Sequence, residues 1–233
     1  MKRSQINRAI EQAITFFERM NIHLPPFAFW PPEEWAKKGN EVDQIRHTML
    51  GWDVIDFGRG DFHTIGRTLF TLRNGSYRYK EYQKVYSEKL ILLEEEQVAP
   101  IHYHAKKMED IINRCGGNIL IRLYQATTEG EKSGKSFEVV VDGCRKEISA
   151  GAIICLRPGE SVCLPPRTIH QFWSEKGSGL TVSGEVSSVC DDLSDNCFLE
   201  EVSRFPTIEE DEPSLFLLCN EYPSPREGGM GKR

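Results

Sequence analysis

The chain is predicted to be mainly β: an antiparallel sandwich or barrel with a helical extension in front of it. Three observations predict this. Short runs rich in β-branched and aliphatic residues follow one another from about residue 87 to 189, turn residues separate them, and no helical periodicity comes between them. The sustained three-and-four spacing of apolar residues lies at the start instead. There Ile6, Ala9, Ile10, Ala13, Ile14, Phe17 and Met20 mark an amphipathic helix over 4–20, capped by Ser4.

After this helix, Pro25, Pro26, Pro31 and Pro32 hold the chain extended through Phe27, Phe29 and Trp30, before a short helix over 33–38. The aromatic segment is expected to seal a barrel or a subunit contact. Residues 50–80 read as early strands with loops. Eight strands are then expected at 89–93, 101–104, 118–126, 137–141, 152–156, 161–164, 168–173 and 179–186. Cys115-Gly116-Gly117, Asp142-Gly143, Pro158-Gly159, Pro165-Pro166 and Gly177-Ser178-Gly179 supply the turns between them. The acidic run 209–213 reads as a solvated loop, 215–218 as an apolar stretch that pairs with a sheet, and the last eight residues as frayed. Together these give one domain, with an extension over 1–48 packed on a barrel over 49–220 and a tail over 221–233.

Composition narrows the function classes. With 39% hydrophobic and 27% charged residues and a net charge of -6, the chain lacks the basic surface that nucleic acid requires, and no nucleic-acid partner is expected. Arg8, Glu11, Glu18 and Arg19 interrupt the N-terminal apolar pattern, and nowhere do 18 apolar residues run together, so neither a signal peptide nor a membrane span is expected and the cytoplasm is the expected location. Seven cysteines without a Cys-x-x-Cys pair suggest reduced thiols rather than a disulfide framework or zinc knot. Cys155 and Cys163 are expected to be small buried apolar groups.

The six histidines carry the sharpest signal. His102 and His104 flank Tyr103 in a predicted strand, where residues two apart project to one face, and Glu109 can return to that face after a short turn. This is a metal-ligand spacing, although a bare His-x-His is equally at home on a solvated strand.

Context extends the pattern. His102, His104 and Glu109 with Gly116 six residues beyond the acid, followed by Gly159, Pro165 and His170, resemble the paired motifs of the cupin superfamily. The match departs at Glu96 and Arg167, where those motifs usually have glycine, and at Ser174, where they usually have asparagine. The resemblance implies a cupin-type antiparallel β-barrel, a jelly roll, holding one divalent metal through His102, His104, Glu109 and His170. Such a mixed nitrogen and oxygen shell leaves two neighbouring positions open in six-coordinate geometry, as catalysis needs.

Around these motifs, the phrases Glu88-Lys89-Leu90-Ile91, His102-Tyr103-His104, Glu109 through Arg114, Gly184 through Val189 and Arg204-Phe205-Pro206 resemble the D-lyxose ketol-isomerase family of cupins, from about residue 50 to 212. The resemblance implies interconversion of D-lyxose and D-xylulose, often with D-mannose and D-fructose, by a manganese-dependent, dimeric, cytoplasmic enzyme. Zinc, iron, cobalt and nickel remain open as the ion.

That chemistry also needs a proton carrier. Glu185 is the first candidate, because Ser183, Glu185 and Ser187 share one strand face and a carboxylate aimed into a barrel must have a polar partner. Lys89, an ammonium in an otherwise apolar strand, is the second, to hold charge on a sugar oxygen. Asp191 with Asp192, Glu201 and Arg204 are candidates for binding distal hydroxyls or closing the cavity mouth. A hydride shift would need no proton carrier. The rival readings are an iron dioxygenase or oxalate-type oxidoreductase on the same ligands, and a non-catalytic sugar-binding barrel. The absence of a DNA-binding helical motif counts against a regulator.

Overall fold

The computed structural model describes residues 1–192 and 194–224. After α1 (Arg3–Arg19), α2 (Pro32–Trp35) and α3 (Asp43–His47) come thirteen strands among the described residues. These are β1 (Gly51–Ile55), β2 (Arg67–Arg73), β3 (Tyr86–Leu93), β4 (His102–His104), β5 (Glu109–Gly116), β6 (Ile119–Gln125), β7 (Phe137–Val141), β8 (Cys144–Ile148), β9 (Ile153–Leu156), β10 (Ser161–Leu164), β11 (Thr168–Ser174), β12 (Thr181–Ser188) and β13 (Asn196–Phe198). They form two antiparallel sheets, an eight-stranded one in the order β1-β2-β3-β12-β5-β10-β7-β8 and a five-stranded one in the order β13-β4-β11-β6-β9. The class is the mainly β, cupin-type architecture with an N-terminal helix.

Period-two alternation divides the core in two. Along β3, Leu90 and Leu92 face α1, where they join Ile6, Ile10, Phe17, Trp52 and Phe70 in one cluster. Ile91 and Leu93 point the other way, into the space between the sheets, with Ile111, Ile121, Leu123, Val162 and Phe172. The helix thus covers the outer face of the large sheet, with Phe17 stacked on Trp52 at 6.5 Å. The aromatic segment seals the same region, since Phe27 packs on Phe70 and the Trp52 indole donates to the Ala28 carbonyl at 2.8 Å. The inner face is left for the site.

Several expectations are corrected. The first helix starts at Arg3, and Ser4 is not its cap. Ser4 lies inside the first turn, where its amide and hydroxyl both donate to Asp211. The acidic run is accordingly no free loop: Glu210 and Glu221 grip Arg3, and Asn7 donates to Glu212 and to the Pro213 carbonyl. Carboxylates gathered at a helix N-terminus are favoured by its partial positive charge. Tyr222, expected in the tail, stacks on Trp35 at 3.9 Å and donates to the Leu50 carbonyl. Residues 225–233, the frayed segment, lie outside the described residues. Cys155 is exposed and Cys163 half-buried, because both fall on outward positions of their strands. The short helix stops at Trp35 rather than reaching residue 38.

All eight expected strands are present within two or three residues of their expected ends, and β5, β8 and β13 are additional. Each face of β5 mixes polar with apolar residues, Glu109, Ile111 and Asn113 on one and Asp110, Ile112 and Arg114 on the other, so it lacks a plain hydrophobic face. β8 is solvent-facing almost throughout; the two-residue turn at Asp142-Gly143, both at positive φ, folds it back on β7.

The two departures from the cupin glycines have a backbone explanation. Glu96 (φ 58) and Arg167 (φ 66) both occupy the left-handed region, where glycine carries no Cβ penalty. Their side chains differ in what they return. Glu96 reaches Lys176 on the surface, whereas Arg167 donates to the carbonyls of Thr127 and Thr128 and lies over the Tyr103 ring. Glu96→Gly is therefore expected to leave stability within ~1 kcal/mol of the parent, while Arg167→Gly lowers it by ~1–2 kcal/mol, measured by urea denaturation. Equal losses at the two positions would contradict this account.

Candidate metal centre and active site

The site lies between the sheets, and each sheet contributes a different kind of group. The small sheet brings the imidazoles. His102 and His104 alternate with Tyr103 along β4, and His170 of β11 stands directly opposite His102 in the ladder. One nitrogen of each ring lies within 4.8 Å of the others. His102 Nδ1 donates to the Pro100 carbonyl at 2.8 Å and His170 Nδ1 to the Thr168 carbonyl at 2.9 Å, which turns each Nε2 lone pair inward. Burial and the neighbouring rings hold His102 well below the usual histidine pKa; burial likewise lowers His170. Both are neutral ligand-type imidazoles.

The large sheet brings the carboxylates and ammonium groups. Glu109 opens β5, and its Oε1 lies 3.3 Å from His104 Nε2 and 3.2 Å from His170 Nε2. That oxygen is buried and accepts no hydrogen bond, so it faces the inward lone pair of His170 with nothing between them. A cation at this point converts a repulsion into coordination. The donor set of three imidazoles and one carboxylate therefore fits a divalent ion.

Behind Glu109 runs a chain of buried charges. Lys107 Nζ lies 2.8 Å from both Glu109 Oε2 and Glu185 Oε1. Burial alone would depress the Lys107 pKa, but the two carboxylates outweigh it and raise it. Burial would also raise Glu109, yet the Lys107 ammonium above all holds its carboxyl well below the ordinary range. On β12, Glu185 sits directly across the ladder from Lys89, whose Nζ is 3.5 Å from Glu185 Oε1. The hydrogen bonds to Glu185, from Lys107 and Ser187, all go to Oε1. Oε2 accepts none of them, and Glu185 lines a cavity of about 80 Å³ with His102, His104, Glu109 and His170.

At the outer end of this cavity Lys89 also meets Asp192 at 3.5 Å, and Arg204 bridges Asp192 to Asp53. Burial opposes ionisation of Asp192, but Lys89 and Arg204 keep its pKa well below the usual value. Three cations, Lys89, Lys107 and Arg204, thus stand against four carboxylates, Asp53, Glu109, Glu185 and Asp192. The cluster is one positive charge short before any metal is counted.

Of the residues singled out in the sequence, the fold brings His102, His104, Glu109, His170, Glu185, Lys89 and Arg204 to this one cavity. Asp191 lines a neighbouring chamber and accepts from Ser194. Glu201 is exposed and lines neither space. Lys107, Asp53 and Asp195 were not singled out. Asp195 accepts the amides of Lys106 and Lys107 at 2.8 and 2.9 Å, and so shapes the turn between the ligand strands. Lys107 shares the four-residue spacer between His104 and Glu109 with Lys106 and Met108, which are exposed, so nothing in the spacing marks it as the one that turns inward.

A sequence profile of D-lyxose isomerase matches residues 1–222. The chain belongs to the D-lyxose isomerase family. It is an enzyme of the sugar-isomerase class. Its relatives include the D-lyxose/D-mannose isomerases of Escherichia coli O157:H7, 46% identical over 223 residues, and of Serratia proteamaculans, 47% identical over 223 residues. Each alignment covers 95% of this chain and 98% of the relative. The fold is shared with Cellulomonas parahominis L-ribose isomerase at a TM-score of 0.60 and 14% identity, over 90% of this chain and 97% of that one. No helix among the described residues is long and apolar enough to cross a membrane.

Proposed function

We propose that the enzyme interconverts D-lyxose and D-xylulose, and D-mannose and D-fructose, with one divalent ion, manganese, held by His102, His104, Glu109 and His170. The relatives named for lyxose and mannose support the substrate pair. One observation carries the reaction type: Glu185, a carboxylate fixed at one oxygen, lines the same cavity as the imidazole cluster.

Isomerisation moves a hydrogen between C1 and C2 of the open-chain sugar while charge builds on the adjacent oxygens. A bound divalent ion supplies Lewis acidity and positive charge for those oxygens. Glu185 takes the proton from C2 of the aldose through Oε2 and returns it to C1. Lys107, between Glu109 and Glu185, holds the proton carrier in place through Oε1 while sharing one cation between both acids. Lys89 lies on the same face as Glu185 and donates to a sugar oxygen. Phe57 and Phe172, both buried, and the half-buried Phe198 give the cavity an apolar wall around this transfer. We infer a homodimer in the cytoplasm from the family resemblance alone.

The test combines metal analysis with a panel of aldoses assayed for ketose. Manganese-loaded protein is expected to form D-xylulose from D-lyxose and D-fructose from D-mannose, with deuterium from solvent appearing in the ketose at C1. Folded, metal-loaded protein that leaves both aldoses unchanged would end this reading. Turnover without any solvent deuterium would replace the Glu185 step with a hydride shift.

A further inference from the structure

The metal cavity is small for its proposed substrate. About 80 Å³ is room for about six waters, and even an open-chain pentose has more non-hydrogen atoms than that. A second chamber of about 330 Å³ adjoins it, and Asp53, Lys89, Asp192 and Arg204 line both. These four residues are the partition. Its weakest links are at Asp192, whose carboxylate lies 3.5 Å from Lys89 and 3.3 Å from Arg204, longer than a charge-assisted hydrogen bond of ~2.8 Å. A hydroxyl-bearing chain can thread between such partners and exchange hydrogen bonds with them.

We infer that the outer chamber is a subsite for the distal, uncharged polyol end of the open-chain sugar, and that its depth sets the preference between hexose and pentose. The inference rests on the isomerase reading above. The chamber's chemistry suits a neutral ligand. Arg46 is spent on Asp43 and the Gly39 carbonyl, and Arg204 and Lys89 on the partition carboxylates. Arg78, lying over the Tyr79 ring, is the one lining cation with no carboxylate within 4 Å among the described residues. The remaining walls offer hydroxyl groups and rings, including Thr71, Ser76 and Tyr79, with Tyr79 braced by the His47 ring stacked on it at 4.0 Å. Polar edges beside aromatic faces suit a polyol, and one unpaired guanidinium is a poor phosphate site.

Filling the chamber tests this. Ser76→Trp places bulk on the loop that roofs it, away from the metal ligands and from Glu185. D-mannose, which reaches one carbon deeper into the chamber, is expected to lose at least tenfold in kcat/KM while the shorter D-lyxose loses threefold or less. Thr71→Val, which removes a hydroxyl near the partition at almost constant volume, is expected to shift the ratio in the same direction by a smaller factor and covers the case in which the tryptophan variant does not fold. Equal losses on both sugars, or an unchanged ratio in variants that melt like the parent, would overturn the subsite while leaving the isomerase reading intact. Parent protein inactive on both sugars overturns both. Faster turnover of mannose 6-phosphate than of mannose would overturn the neutral-ligand assignment.

Discussion

Glu185→Gln is expected to lower kcat on D-lyxose by ~10²–10⁴-fold while bound metal stays near the parent level. The size follows from the role. The amide keeps the shape of the side chain and can still accept from Lys107 through its oxygen, so KM should move little, but it cannot take a proton from carbon. The loss is then confined to the chemical step, about 3–5 kcal/mol of transition-state stabilisation. The substitution also removes one negative charge from a cluster in which Lys107 lies 2.8 Å from two carboxylates. Stability should fall by ~1–2 kcal/mol, a modest change beside the catalytic loss. The decisive readout is exchange of the C2 proton with solvent, followed by NMR at equilibrium concentrations of aldose and ketose. A variant that retains parent rates of exchange would remove Glu185 from the proton path.

What made this residue visible in the sequence is the strand period. Ser183, Glu185 and Ser187 alternate with Val182, Gly184 and Val186, and the structure sends the two sets to opposite faces of one strand, Val182 to the helix-facing core and Glu185 to the cavity, with only Val186 half-buried. His102 and His104 were legible for the same reason, and His170 through its spacing from Gly159 and Pro165. Lys107, Asp53 and Asp195 were not, because each needs a partner far along the chain: the Lys107 ammonium meets Glu185, 78 residues away, Asp53 meets Arg204, 151 residues away, and Asp195 meets the Lys107 amide, 88 residues away. β8 escaped because an edge hairpin of charged residues has no buried face to give it a pattern. The acidic run 209–213 has the composition of a solvated loop, yet it meets a helix terminus whose amides and Arg3 need carboxylates. Local pattern reports which way a side chain points; it is silent about which distant group will be there.

His170→Ala is expected to abolish turnover and to remove the stabilisation that added metal confers. In the parent, Mn²⁺ at a hundred times its Kd should stabilise the fold by about 2.7 kcal/mol, a rise of several degrees in Tm for a chain of this length. The variant should melt at the same temperature with and without Mn²⁺. Its fold should survive, because the two hydrophobic clusters that hold the helix on the large sheet and the sheets on each other keep all their members. Removing the ring also removes the lone pair that faces Glu109 Oε1, so metal-free variant is expected to be no less stable than metal-free parent apart from the cavity left behind, ~1–2 kcal/mol. This comparison separates a ligand from a packing residue. A histidine that served only to fill the core would cost the same stability with or without metal in the buffer and would leave the metal-induced rise in Tm untouched. A ligand shows the opposite, with nearly all of its effect in the metal-loaded state.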